Sequence, residues 1–367
     1  MQPTAAALPA PANNSVPYTL TRVGVVMEPE PDNPNEIDGV LNPATGRDST
    51  GAVYLLPRLV AAGNVSRVGR AKVLITDGVP NGVEREAVVL SPDRGWERAN
   101  THGGVEDPRV TWIEALGTHV MTYVAYGPLG PRPAIALSLD LRTWTRLGPI
   151  HFEFDDTLDL DLNLCSNKDV VFFPAAVPGP DGRPAFAALH RPTWDLDVVA
   201  PGLGEYLPAG ATDNRPGIWI SYLPVDDVIS DIGALTHFRM HRQVALSQFD
   251  FEAVKVGAGP PPLRIPEGWL LIHHGVAGRM LPGTDHQPFV HYAAGAMILS
   301  ADDPAVVLAR TSEPLLSAEL AEEKHGIVPN VVFPTAIEKI DGKYYVFYGM
   351  ADSRIGVARL DRIEDAG

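Results

Sequence analysis

Residues Gly103-Gly104-Val105-Glu106-Asp107-Pro108-Arg109 place two adjacent carboxylates and a guanidinium beside a proline. A positioned acid with a cation nearby is what cleavage of a glycosidic bond requires. Pro108 fixes its own φ and biases Asp107 toward extended backbone. Val110 to Tyr126 then read as strand, turn at Gly117, strand, so the acids are expected where a loop enters a sheet. Taken alone, the tetrapeptide reads more readily as an ordinary Asp-Pro turn with a solvated arginine. Its meaning therefore depends on the rest of the chain.

Other chemistries find little support. His273-His274 invites a metal reading, but neighbours on a strand point to opposite faces and cannot share an ion. No other His/Cys spacing suggests a metal, and neither a Gly-rich phosphate loop nor a Gly-x-Ser-x-Gly elbow occurs. The formal net charge of −16 over 367 residues argues against nucleic acid or an anionic membrane as partner. It leaves room for an anionic small molecule in a local cationic pocket. The single cysteine, Cys165, cannot form an internal disulfide. No run approaches the roughly 20 apolar residues of a membrane span, and the Ala- and Pro-rich start lacks the features of a signal peptide. These points lead us to expect a cytoplasmic protein with residues 1–15 as a flexible tail and residues 16–367 as one domain.

The elements that must position such groups are short strands. The 34 glycines and 35 prolines fall between apolar runs rather than in one block, which reads as strand and turn throughout. Five segments share a strand rich in β-branched and aromatic residues that ends in polar groups or glycine: Val53–Arg58, His119–Tyr126, Ala185–Arg191, Trp269–His274 and Tyr344–Gly349. Several are followed by a second strand, such as Ile135–Asp140, Ile218–Leu223, Ala296–Asp302 and Ile355–Asp361. Strand pairs recurring every ~60–85 residues without helical crossovers suggest radially stacked antiparallel blades; a β-sandwich or two β domains is the alternative. Helical periodicity is confined to Thr311–Lys324 and, more weakly, Val225–Leu235. In a propeller, Arg58, Asp107–Arg109, His190–Arg191, His273–His274 and Asp352 would converge on one funnel.

At this point several motifs occur together and in order: Gly39-Val40-Leu41-Asn42-Pro43-Ala44, Gly104–Arg109, Asn167-Lys168-Asp169 with Leu189-His190-Arg191-Pro192, Val256–Pro262 with Gly268–Val276, Val328–Pro334, and Tyr348–Asp352. In them the chain resembles the mannoside phosphorylases and β-mannosidases of glycoside hydrolase family 130, over about Gly39 to Leu360. The resemblance implies an all-β fold, a five-bladed β-propeller. It implies Asp107 as general acid, acting through the 3-hydroxyl of the mannosyl unit. It also implies a phosphate site at Lys168, Arg191 and Lys255, with His274 and Tyr292 as further candidates. Asn42, Arg58, Glu106, Arg109 and Asp352 would hold the sugar.

Phosphate is already anionic, so a phosphorylase needs cations across the sugar where an inverting hydrolase needs a second carboxylate. All three main phosphate positions are basic here. Lys168 stands where many phosphorylases carry arginine, which exchanges a bidentate fork for a point charge. The expected function is inverting phosphorolysis of β-mannosides to α-mannose 1-phosphate, with inorganic phosphate as co-substrate and no other cofactor. The partners are then sugar and phosphate, with a homo-oligomer left open. An inverting β-mannosidase and a non-catalytic sugar-binding propeller are the alternatives. For hydrolysis, Glu205 or an acid of Glu153–Asp161 would have to activate water. The Pro178–Pro184 turn and the stretch Trp194 to Asn214 are longer than the family's usual pattern, which bears on acceptor choice.

Overall fold

The computed structural model describes residues 15–98, 102–197, 201–281 and 287–363. The expected N-terminal tail falls on residues 1–14, outside them, apart from Ser15. Strands dominate. After β1 (Tyr18–Met27), a first antiparallel unit contains β2 (Gly39–Arg47), β3 (Val53–Ala61), β4 (Val65–Thr76) and β5 (Val79–Leu90). A second contains β6 (Gly103–Ile113), β7 (Thr118–Gly127), β8 (Gly130–Ser138) and β9 (Thr145–Pro149). These two share an eight-stranded sheet only through a two-residue parallel contact, Val65↔Gly103 and Ser66↔Gly104.

The third unit has β10 (His151–Phe152), β11 (Ser166–Phe172), β12 (Val177–Pro178), β13 (Pro184–Thr193), β14 (Ile218–Pro224) and β15 (His237–Ala245). The fourth has β16 (Lys255–Ala258), β17 (Leu263–Ile265), β18 (Gly268–Gly278), β19 (Val290–Leu299) and β20 (Val307–Arg310). In the fifth, β21 (Val332–Ile340), β22 (Lys343–Met350) and β23 (Arg354–Arg362) take β1 as their outer strand, which ties the two ends of the chain together. The first strands touch in sequence, β2 to β6, β6 to β11 and β11 to β16, and β21 returns to β2. Apolar side chains fill the spaces between neighbouring sheets, as where Val171, Leu189 and Ile220 of the third unit pack with Val256, Leu271 and Met297 of the fourth.

The helical expectations contract. Of Thr311–Lys324 only α2 (Ala321–Lys324) is helical, and of Val225–Leu235 only α1 (Val225–Ser230), followed by a 3-10 turn at Ile232–Thr236. Neither contracted segment approaches the ~12–15 residues an isolated helix needs in water. Among the described residues no helix is long and apolar enough to cross a membrane.

A construction repeated in four of the five units fixes the loops at one end of the sheets. Just before the first strand stands a buried glutamate: Glu36, Glu97, Glu252 and Glu323, each 0% exposed. Each pairs with an arginine from the outer strand of its own unit: Arg85 (2.9 Å), Arg146 (2.7 Å), Arg310 (2.7 Å) and Arg22 (2.8 Å). In three of them the second strand adds a donor to the same carboxylate, Tyr123 at 2.7 Å, His273 at 2.9 Å and Tyr348 at 3.0 Å. Backbone N–H groups at the start of the same turn complete the set, from Arg94, Gln248, Phe249, Glu319 and Leu320. A buried carboxylate is tolerated only when paired and hydrogen-bonded in this way. The third unit replaces the arrangement with a neutral chain, in which Ser221 Oγ lies 2.8 Å from both His190 Nε2 and His241 Nδ1.

Candidate active site

Three of the first strands carry the same irregularity. β2, β6 and β11 shift register between Leu41 and Ala44, Glu106 and Arg109, and Lys168 and Val171. At each shift one residue has left-handed backbone: Asn42 (φ 43°), Asp107 (φ 45°) and Asp169 (φ 58°). A bulge of this kind re-aims a side chain out of the ladder. Two expectations for Asp107 are thereby corrected. It lies inside a strand rather than in an entering loop, and its backbone is left-handed rather than extended. The bulge outweighs the steric preference imposed by Pro108, and Asp tolerates positive φ better than most residues.

Asp107 sits in a closely built cluster. Its Oδ1 accepts from Asn42 Nδ2 (2.7 Å) and Arg58 Nη1 (3.1 Å). Arg58 Nη2 also donates to Glu106 Oε1 at 3.0 Å, and Lys168 Nζ lies 3.6 Å from Glu106 Oε2. Arg109 turns the other way: it donates to the carbonyls of Asp107 and Gly259 (3.0 Å each) and lies 3.9 Å from Asp169. Arg109 therefore braces the bulge, as a fully buried side chain, and does not line the cleft. Gly349 makes room for Asn42, since a Cβ there would stand 2.1 Å from Asn42 Oδ1.

Burial pushes the Asp107 carboxyl up, but Arg58, Lys168 and Arg109 prevail and hold its pKa below the usual range. Asp352, also at positive φ, goes the opposite way. Burial, with Asp107 and Glu106 adding repulsion against the pull of Arg58, raises it to about 6.

A second cluster adjoins the first. Lys168 and Arg191 are cross-strand partners on β11 and β13. Arg191 Nε donates to Asp169 Oδ2 at 2.6 Å, and His274 Nε2 is 3.5 Å from the same oxygen. His274 stacks on Tyr292 (6.1 Å between centroids, 22°), and Lys255 Nζ lies 5.5 Å from the Tyr292 ring centre. Gly257 is needed here, because a Cβ would come within 2.5 Å of both His274 Cε1 and Asp169 Oδ2. Burial, and then Arg191, lower Lys255 to about 7. Burial also drives His274 well below its ordinary value despite Asp169, so the imidazole is neutral. Asp169 is held as a carboxylate far below the usual range, because Arg191, with a hydrogen bond, and Arg109 overcome its burial. Sequence reasoning missed Asp169 as the organiser of this cluster. Its only signal was a place beside Lys168 equivalent to that of Asp107 beside Glu106.

A cleft of about 680 Å³ opens over the first cluster, lined by Ile37, Asp38, Leu41, Arg58, Val60, Asn64, Glu106, Tyr126, Lys168, Ile327, Val328 and Asp352. Two expected members of the funnel point elsewhere. His190 contacts Ser221, and His273 pairs with Glu252. His273 and His274 do face opposite ways, as a strand requires. Of the acids considered as alternative bases, Glu205 accepts from Asn214 and Asp161 from Asn163, and neither lines the cleft. A mostly apolar cavity of about 350 Å³ between Trp96, Leu129, Phe152 and Leu162 contains none of the charged groups of either cluster. Among the described residues there is no cluster of three or more His, Cys, Asp or Glu suited to a metal.

A family model described as Glyco_hydro_130, beta-1,4-mannooligosaccharide phosphorylase, matches residues 59–180 and 232–365. The chain belongs to glycoside hydrolase family 130. A 1,2-beta-oligomannan phosphorylase of Thermoanaerobacter sp. (strain X514) is 29% identical over 92% of this chain and 94% of its own length. A beta-1,2-mannobiose phosphorylase of the same organism is 30% identical over 71% of this chain and 67% of that one. The fold is similar to that of the beta-1,2-mannobiose phosphorylase from Listeria innocua, solved with beta-1,2-mannobiose. The TM-score is 0.69 at 21% identity, covering 95% of this chain and 97% of the other.

Proposed function

We propose that this family 130 protein cleaves β-mannosides by inverting phosphorolysis, releasing α-mannose 1-phosphate, and that residues 16–367 form one five-bladed β-propeller. The five antiparallel units would be the blades, with the bulges of β2, β6 and β11 facing the funnel. The observation that carries the function is the division of charge. The acid Asp107 belongs to a cluster from the first two units, and the cations Arg191 and Lys255 to a cluster from the third and fourth, with Lys168 between them.

In this mechanism the mannosyl unit lies in the cleft against Asn42, Arg58, Glu106 and Asp352. Hydrogen phosphate is held by Lys168, Arg191 and Lys255, beside His274 and Tyr292. A phosphate oxygen bonds to C1 as the C1–O bond to the leaving sugar breaks. The Asp107 proton passes to the departing oxygen through the mannosyl 3-hydroxyl, as the family resemblance implies. The proton lost by hydrogen phosphate restores the acid, so the step balances. Asp107 needs that proton although three cations favour its ionised form. Phosphate bound at Lys168 offsets part of this field and raises the acid when both substrates are present.

Hydrolysis would require a free carboxylate on the phosphate side to activate water. Asp169, in that cluster, is committed to Arg191, and Asp352, which also acts on Lys255 and Tyr292, is assigned to the mannosyl unit. A cytoplasmic location suits a reaction that consumes inorganic phosphate.

The test is synthesis in reverse. The protein is incubated with α-mannose 1-phosphate and a panel of acceptors with β-1,2-linked manno-oligosaccharides placed first, because two relatives are named for that linkage. Phosphate release with one acceptor supports phosphorolysis. No release with any acceptor contradicts it.

A further inference from the structure

The cleft carries two large aliphatic side chains that the fold leaves in water. Ile37 is 51% exposed and Ile327 is 44% exposed, and both line the same cleft as Arg58, Glu106, Lys168 and Asp352. Their aliphatic neighbours in the wall, Leu41, Val60 and Val328, are buried and belong to the packing. Core formation therefore does not account for the two isoleucines.

Both lie close in sequence to the buried frame. Ile37 directly follows Glu36, and Ile327 lies four residues after Glu323, so each sits on a turn held by one of the buried Glu–Arg pairs. The turn bearing Asp352 is fixed between these loops. The N–H of Val40 donates to the Ser353 carbonyl at 3.2 Å, and the Ala351 N–H donates to the Val331 carbonyl at 3.1 Å. A Cβ at Gly39 would lie 3.2 Å from the Asp352 carbonyl, and one at Gly326 would lie 2.0 Å from that of Ala351. The loops that carry the two isoleucines thus adjoin the Asp352 turn.

Their side of the site is set by inversion. The nucleophile and the leaving group occupy opposite faces of the reacting sugar. Arg191 and Lys255 come from the third and fourth units, whereas Ile37 and Ile327 come from the loops before β2 and β21, in the first and fifth. The acid must reach the departing oxygen, and the cleft lined by Ile37 and Ile327 also holds Arg58 and Glu106, which surround Asp107, so the departing sugar is assigned to that cleft. Pyranoses present C–H faces that bury well against apolar groups, and Asp38 in the same wall offers a carboxylate to a hydroxyl.

We propose that Ile37 and Ile327 form an aliphatic clamp on a C–H face of the leaving sugar and thereby set acceptor preference. The clamp rests on the phosphorolytic function proposed above, and its test separates the two. In the synthetic direction, Ile37→Ser and Ile327→Ser each raise KM for the acceptor by about 3- to 10-fold, in keeping with reburial of about half an isoleucine. KM for α-mannose 1-phosphate and kcat stay within twofold, and Ile37→Val recovers most of the loss. In binding measurements without phosphate, both Ser variants weaken β-1,2-mannobiose but not methyl β-mannoside, whose aglycone is a single methyl group. Unchanged acceptor KM in the double variant, or equal losses for the disaccharide and the methyl glycoside, would overturn the clamp. If the parent releases no phosphate with any acceptor, phosphorolysis fails, and the binding comparison alone decides the clamp.

Discussion

Replacing Lys255 with methionine isolates the phosphate half of the proposed reaction. In its cationic form Lys255 would make one charge-assisted hydrogen bond to phosphate, a contact worth about 1.5–3 kcal/mol. At about 1.4 kcal/mol per decade, this corresponds to a rise of roughly 10- to 150-fold in KM for phosphate. Burial and Arg191 bring Lys255 to about 7, so the full effect is expected at pH 6, where the side chain is mostly charged. The fold itself should not suffer. A lysine whose pKa is depressed on folding destabilises the folded state most below its folded value, where it is charged in both states. Removing it should leave Tm at pH 6 unchanged or higher. The assay is the initial rate of β-mannoside phosphorolysis against phosphate concentration, with KM for the mannoside measured alongside. A phosphate KM within twofold of the parent at pH 6, or a parallel rise in mannoside KM, would refute this role for Lys255.

The same lysine predicts a pH dependence: KM for phosphate rises about tenfold between pH 6 and pH 8, once the ionisation of phosphate itself is allowed for, and Lys255→Arg flattens the profile. A flat parent profile would count against Lys255 as the titrating cation. Asp107→Asn should lower kcat for phosphorolysis by about 10²–10⁴-fold while calorimetric affinity for methyl β-mannoside changes only severalfold; near-parental turnover would exclude it as the acid. Glu252→Gln leaves Arg310 without its buried counter-charge and weakens the His273 contact, and should cost about 3–5 kcal/mol in urea unfolding, whereas a loss below 1 kcal/mol would mean that the pair does not pin its loop.

What the sequence disclosed follows from how local each signal is. Glu106-Asp107-Pro108-Arg109 is contiguous, and its acid does stand beside a cleft. The strand pairs are also visible, because β-branched and aromatic runs between turns read directly as β-structure. The cations of the second cluster were reachable only through the order of motifs, since Lys168, Arg191 and Lys255 are brought together by three different strands. The backbone of Asp107 was misjudged because Pro108 is a local constraint and the bulge a tertiary one. The buried Glu–Arg pairs escaped notice for a similar reason. Their partners lie 49 residues apart for Glu97 and Arg146 and 301 apart for Arg22 and Glu323. A glutamate three residues into a short turn before a strand, as in Asn33-Pro34-Asn35-Glu36, is the one local trace they leave. The helical expectation at Thr311–Lys324 contracts to Ala321–Lys324 because the apolar spacing before it serves β-contacts instead, as in the bridge from Ala294 to Leu316.

The central claim is that phosphate attacks the mannosyl carbon while Asp107 supplies the proton. Its most direct measurement is the product formed from β-1,2-mannobiose with and without inorganic phosphate, followed by phosphorus and proton NMR. The account predicts α-mannose 1-phosphate and one equivalent of mannose with phosphate, and no cleavage without it. Free mannose released at the same rate in both, with no sugar phosphate, would contradict it.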